Sequence, residues 1–154
     1  MRLYLVQHGD ALPEDVDPAR PLSSQGGADV EHVAALLARH VSGIARVLHS
    51  GKTRAQQTAE ILAREIGAGA PLQAASGLNP LDDPEDWAQQ VDASTEDVML
   101  VGHLPFMSKL ISRLLVGDAE IGVVALEPGS VVCLERDDGH WTITWMLRPA
   151  LLRT

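Results

Sequence analysis

Cysteine is nearly absent: Cys133 is the only one in 154 residues. An internal disulfide is thereby excluded. Cys133 lies in the apolar run Val131-Val132-Cys133-Leu134, with no evident basic neighbour to lower its pKa, so it reads as a small core residue and not as a nucleophile. Long apolar runs are missing too. No window approaches the roughly 20 uninterrupted apolar residues of a membrane span. The N-terminus enters strand-like sequence at once, without the basic and apolar regions of a signal peptide. The expectation is a soluble, cytoplasmic protein. Positive charge is scarce as well, with 12 Lys and Arg against 21 Asp and Glu and a formal net charge of −9. This balance argues against general binding to nucleic acid or to an anionic membrane. Any anionic substrate must be held by a local cluster of positive groups.

The sequence does have enough apolar residues for a core, 45% hydrophobic against 21% charged, which fits one domain spanning residues 1–154. Arg2 to Gln7 reads as a short buried strand bounded by Gly9. Ser23 or Ser24 caps a helix with Val30, Val33, Ala34, Leu37 and Val41 on one face, and Gly43 stops it. A strand over Ala45 to Leu48 and a helix from about Thr53 to Ile66, closed by Gly67, follow. Leu72 to Ala75 reads as a third strand. Asp83 as cap, with Pro84 at the first helical position, starts a short helix through Trp87 to about Val91. Val98 to Val101 is the fourth and clearest strand, leading into a helix from about Pro105 to Val116 that Gly117 ends. Ile121 to Leu126, Val131 to Arg136 and Trp141 to Leu147 read as strands, the last two a hairpin across Asp137, Asp138 and Gly139. Strands alternating with helices predict an α/β three-layer sandwich: a mainly parallel central sheet, helices on both faces and a C-terminal antiparallel hairpin.

One pattern recurs. Leu5-Val6-Gln7-His8 and Leu100-Val101-Gly102-His103 each end an apolar strand on a histidine. In a parallel sheet, ligands sit beyond the carboxyl ends of the strands. His8 and His103 are both two residues past the last apolar position, so alternation directs them comparably. The second strand brings Ser50 to the same edge, and the helix after it begins near Lys52, Thr53 and Arg54. Gly9 and Gly102, lacking Cβ, would let backbone amides approach an anion. Helix N-termini after Gly51 and after His103 would add partial positive charge. These groups together have the character of a phosphate pocket. His32, His40 and His140 read as surface residues, and His49 as a support.

Gln7-His8-Gly9, the stretch Ser50-Gly51-Lys52-Thr53-Arg54-Ala55-Gln56-Gln57-Thr58-Ala59, and Gly102-His103 resemble the histidine phosphatase superfamily, with its phosphoglycerate mutase-like fold. Arg20-Pro21-Leu22-Ser23 and Gly102-His103-Leu104-Pro105 are most similar to its small SixA-type branch, the phosphohistidine phosphatases. The resemblance implies that His8 attacks phosphorus and becomes a phosphohistidine that water then hydrolyses, with no cofactor. Arg54 would neutralise the phosphoryl oxygens through its planar fork of donors, and His103, when protonated, through a shorter one. Gln7, Gly9, Arg20, Ser50, Lys52 and Gly102 would line the phosphate site.

Two positions depart from the family pattern. Gln7 stands where an arginine usually precedes the catalytic histidine, which leaves Lys52 and Arg20 as cations that could substitute. Gly51 stands where a proline is common. Around Leu78-Asn79-Pro80-Leu81-Asp82-Asp83 there is no clear carboxylic acid to protonate a leaving alkoxide, and Asp83 is explained as a helix cap. An imidazole leaving group needs less help, since its conjugate acid has a pKa of about 6.5. The expected partner is therefore a phosphorylated protein, such as a phosphohistidine phosphorelay domain. Two other readings stay open on the residues alone: a phosphate-binding module weakened by Gln7, and a metal-dependent hydrolase using His8, Asp10 and His103.

Overall fold

The computed structural model describes residues 1–67 and 69–153. Thr154, the last residue of the expected domain, lies outside the described residues. Arg2–Gln7 forms β1, Ser24–Leu37 α1, Arg46–His49 β2, Thr53–Ile66 α2, Leu72–Ala74 β3, Pro84–Ala93 α3, Val98–Gly102 β4, Phe106–Val116 α4, Val131–Asp137 β5 and His140–Leu147 β6. They build one six-stranded sheet in the order β3-β2-β4-β1-β5-β6. The first four strands in this order are parallel, and β5 and β6 are antiparallel additions.

Strands buried on both faces must be apolar at every position, which is why β1 and β4 read as unbroken apolar runs. Their alternation divides the core in two. Leu3, Leu5 and Leu100 pack with Trp87, Phe106 and Leu110 of α3 and α4. Tyr4, Val6, Met99 and Val101 pack with Val30 and Val33 of α1 and with Ala55 and Leu62 of α2 on the opposite face. The result is the expected three-layer α/β sandwich with a terminal hairpin. At the hairpin tip Asp138 and Gly139 have φ of 50° and 78°, the left-handed pair that a two-residue turn with the right strand twist requires.

Local signals set most helix ends. The Ser23 side chain accepts from the Gly26 N–H to start α1, the Asp83 side chain accepts from the Glu85 N–H ahead of Pro84, and Gly117 ends α4 at φ 78°. Two expectations need correction. Helix α1 stops at Leu37 rather than reaching Val41, because its last turn tightens: Arg39 and His40 donate to carbonyls only three residues back. Val41 still reaches the core. Ile121 to Leu126 is not a strand; it is an irregular crossing from α4 to β5. Val124 and Leu126 pack on the core while Ile121 and Val123 face out, so the alternation is present without a partner strand. No described helix is long and apolar enough to cross a membrane.

Strands β1 and β4 are adjacent and parallel, yet the helices that follow them lie on opposite faces of the sheet. That arrangement opens a crevice at their carboxyl ends. Register pairs Val6 with Val101 and Gln7 with Gly102, so His8 and His103 come next on each side of that crevice.

Candidate active site

The two histidine rings meet there, with centroids 4.9 Å apart and planes tilted by 54°. The His8 N–H of the backbone donates to the Gly102 carbonyl at 3.0 Å, which ties the end of β1 to β4. The His8 ring is fixed at both nitrogens. Its Nδ1 lies 2.7 Å from the Gly9 carbonyl oxygen, an atom that can only accept, so Nδ1 carries the proton. Nε2 is then the lone pair, and Arg54 Nε donates to it at 3.3 Å. Burial pushes the His8 pKa down to about 4, opposed by the Gly9 bond and reinforced by Arg54 and Arg20. Burial thus favours the neutral imidazole at pH 7, with its Nε2 lone pair accepting from the Arg54 guanidinium.

His103 is 1% exposed, and its Nε2 lies 2.6 Å from Ser50 Oγ. Its Nδ1 is buried and has no partner. Burial lowers its pKa to about 3, and His8, Arg54, Lys52 and Arg20 push in the same direction. Arg54 itself is held below its ordinary value by burial and by the charge of Arg20. Three cations from two segments, Lys52 and Arg54 at the start of α2 and Arg20 in the loop before α1, thus act on one crevice of a chain whose net charge is −9.

Arg20 arrives by a route the sequence did not indicate. It sits in the loop between β1 and α1 at φ 48°, a left-handed conformation uncommon for a bulky residue. Its own N–H donates to the Asp17 carbonyl and its Nε to the Leu12 carbonyl at 3.1 Å, which hold it there. Gln57 of α2 steadies the same loop by accepting from the Leu22 N–H at 2.8 Å. Lys52 is exposed at the cap of α2, and its backbone N–H donates to Ser50 Oγ at 3.3 Å.

The remaining expected residues fall differently. The Gly9 N–H is already donated to Thr58 Oγ1 at 3.0 Å, and a Cβ at Gly9 would lie 2.8 Å from Val30 Cγ2. Its missing side chain admits the close approach of α1. A Cβ at Gly102 would press on Met107 Cε and the Leu78 carbonyl, so there too the close approach is to the fold itself. Gln7 is 7% exposed and its Oε1 is buried without a partner; none of the described hydrogen bonds joins it to His8, Arg54 or His103. Asp10 accepts from Ser23 Oγ at 2.6 Å and so belongs to the start of α1. His49 is buried, with Nδ1 accepting from the Gly51 N–H, and His32, His40 and His140 are exposed. Among the described residues no group of three or more His, Cys, Asp or Glu converges to hold a metal ion.

Thr58 is the residue that the motif reading undervalued. Its Oγ1 accepts from Gly9 and donates to the Arg54 carbonyl at 2.8 Å, joining the first turn of α2 to the loop that carries His8. Four-residue spacing on one helix face is the signal that could have found it.

Comparison with known proteins finds relatives among the histidine phosphatases. The phosphohistidine phosphatase SixA of Escherichia coli (strain K12) is 27% identical over 158 residues, covering 99% of this chain and 97% of that protein. The solved structure of the protein histidine phosphatase SixA complexed with tungstate superposes with a TM-score of 0.87 at 26% identity, across 99% of this chain and 100% of that one. A phosphoserine phosphatase from Entamoeba histolytica in complex with 3-phosphoglyceric acid shares the fold at a TM-score of 0.73 and 15% identity, over 94% and 95% of the two chains. The family model of the histidine phosphatase superfamily (branch 1) matches residues 3–83, more than half of the sequence, and the chain belongs to that superfamily.

Proposed function

We propose that this protein is a phosphohistidine protein phosphatase that works through a phosphohistidine intermediate on His8. The observation that carries the reading is the state of the His8 ring: protonated on Nδ1 by its bond to Gly9, neutral, and offering the Nε2 lone pair beside Arg54. In the first step Nε2 attacks phosphorus as the phosphorus–nitrogen bond of the substrate breaks. A substrate imidazole protonated on its other nitrogen departs as a neutral molecule. In the second step water attacks the phosphoryl group on His8, releasing phosphate and restoring the ring. Arg54 and Arg20 supply charge for the phosphoryl oxygens, and the N-terminus of α2 adds its partial positive charge.

Leaving-group chemistry favours phosphohistidine over a phosphate ester. The carboxylates nearest in sequence to the site are committed locally: Asp10 to Ser23, Asp82 to the Asn79 N–H and Asp83 to the Glu85 N–H. An alkoxide would leave without an acid to protonate it. The SixA relatives, one of them solved in complex with tungstate, support the same substrate class. Val16 and Leu81, on the loops after β1 and β3, are exposed, and those loops leave the carboxyl edge of the sheet where the site lies.

The test is phosphate release from a phosphohistidine protein and from a phosphoserine peptide, both in chelator. Preferential release from phosphohistidine is expected. Equal release from both would overturn the leaving-group argument, and phosphate binding without release from either would mark a binding module. The acid limb of kcat/KM gives a second check, because it reports the free enzyme. Neutral His8 is the nucleophile, so activity is lost only as pH falls through the His8 pKa. The limb is expected near pH 4, once substrate ionisation is separated by a control substrate, and not near the ordinary 6.5.

A further inference from the structure

Ser50 has the chemistry of a phosphate ligand, but its hydroxyl is used otherwise. Oγ lies 2.6 Å from His103 Nε2 and accepts from the Lys52 N–H. What Oγ has left for the imidazole is its own proton and one lone pair. His103 is buried and its Nδ1 has no hydrogen-bond partner, so Nδ1 is the ring nitrogen whose hydrogen bonding is still unfilled. Phosphoryl oxygens accept hydrogen bonds. A lone pair on Nδ1 would repel them, while a proton on Nδ1 would bind one. An imidazolium would carry protons on both nitrogens, but burial and the charges of Arg54, Lys52 and Arg20 oppose that form. A neutral ring can donate from Nδ1 only if Nε2 accepts, and the group beside Nε2 is a hydroxyl that can rotate to donate.

We propose, resting on the phosphoryl-site reading above, that Ser50 is a positioning residue whose hydroxyl donates to His103 Nε2 and so holds His103 with its proton on Nδ1 when a phosphoryl group is bound. Ser50 then acts on the phosphoryl group through His103. His103 serves as a neutral donor, and the positive charge is left to Arg54 and Arg20.

Side-chain nitrogen NMR of the 15N-labelled full chain, titrated with inorganic phosphate, tests this directly. The phosphate-bound wild type is expected to show His103 with a pyrrole-like Nδ1 and a pyridine-like Nε2. Ser50→Ala is expected to lose that preference and to bind phosphate about tenfold more weakly, a loss of about 1.4 kcal/mol. Ser50→Thr, which keeps the hydroxyl, is expected to restore both. A proton on Nε2 in the bound state, a doubly protonated ring, no response of His103 to saturating phosphate, or Ser50→Ala indistinguishable from wild type would each overturn the proposal. Release assays on a phosphohistidine protein run in parallel separate the two readings. No release with the expected tautomer removes the phosphatase and keeps the role of Ser50; release with the opposite tautomer does the reverse.

Discussion

Replacing His8 with alanine is expected to lower phosphate release from a phosphohistidine protein by a thousandfold or more while leaving the fold intact. The size follows from what is removed. On the proposed mechanism, without Nε2 no covalent intermediate forms, and water must displace the imidazole directly. The fold should survive because the contacts that tie β1 to β4 at this point are backbone ones. The His8 N–H still reaches the Gly102 carbonyl, and the Gly9 N–H still reaches Thr58. Loss of the ring also removes a group whose burial opposes its charged form. His8 has a folded pKa of about 4 against about 6.5 unfolded, so the unfolded chain takes up a proton first as pH falls, and stability is lost from about pH 6.5 down to about 4. His8→Ala is therefore expected to be less sensitive to acid than wild type across that window. Wild type incubated with labelled phosphohistidine substrate should carry label on His8, stable in alkali and labile in acid. A variant that keeps more than a tenth of the activity would show that the nucleophile lies elsewhere.

The parts of this site that the sequence discloses are those set by strand ends. An apolar run that stops on a polar residue marks where a buried strand leaves the core, and in a parallel sheet every such stop falls on one edge. His8, Ser50 and His103 could be placed together on that basis, and Arg54 followed from the helix start four residues after Ser50. What alternation reports is burial, not pairing. Ile121 to Leu126 alternates because Val124 and Leu126 pack on the core, yet its backbone has no strand beside it. Glycine is ambiguous for a related reason. The absence of Cβ says that something comes close; at Gly9 and Gly102 the fold itself accounts for it, through Val30 and Met107. Long-range side-chain pairs leave still less trace. Asp29, 2% exposed on α1, is gripped by Arg153 at 2.6 Å and 3.2 Å across 124 residues, and nothing local in either segment signals the pair.

Arg54→Ala is expected to cost about a hundred- to a thousandfold in kcat, the range for removing one donor aimed at charge that develops in the transition state. Arg54 stands at the start of α2, fixed through its carbonyl by Thr58, with Nε 3.3 Å from His8 Nε2, the proposed nucleophile. A phosphoryl group held by Nε2 is then within reach of the guanidinium fork. Arg54→Lys keeps the charge but offers a single rotatable ammonium in place of a planar set of donors, so only a small part of the loss should return. Gln7 sharpens the expectation. With no arginine at that position, the proposed mechanism leaves Arg54 and Arg20 to share the load, with exposed Lys52 as the cation beside them. A second readout separates this role from damage to the fold. Arg54 pushes the pKa values of both His8 and His103 down, so its removal should let both rise. The acid limb of kcat/KM in Arg54→Ala is expected to move upward from about pH 4, while in Arg54→Lys, which retains the charge, it should stay near the wild-type position. A rate loss without that upward shift would mean that the guanidinium does not share the crevice with His8 in solution.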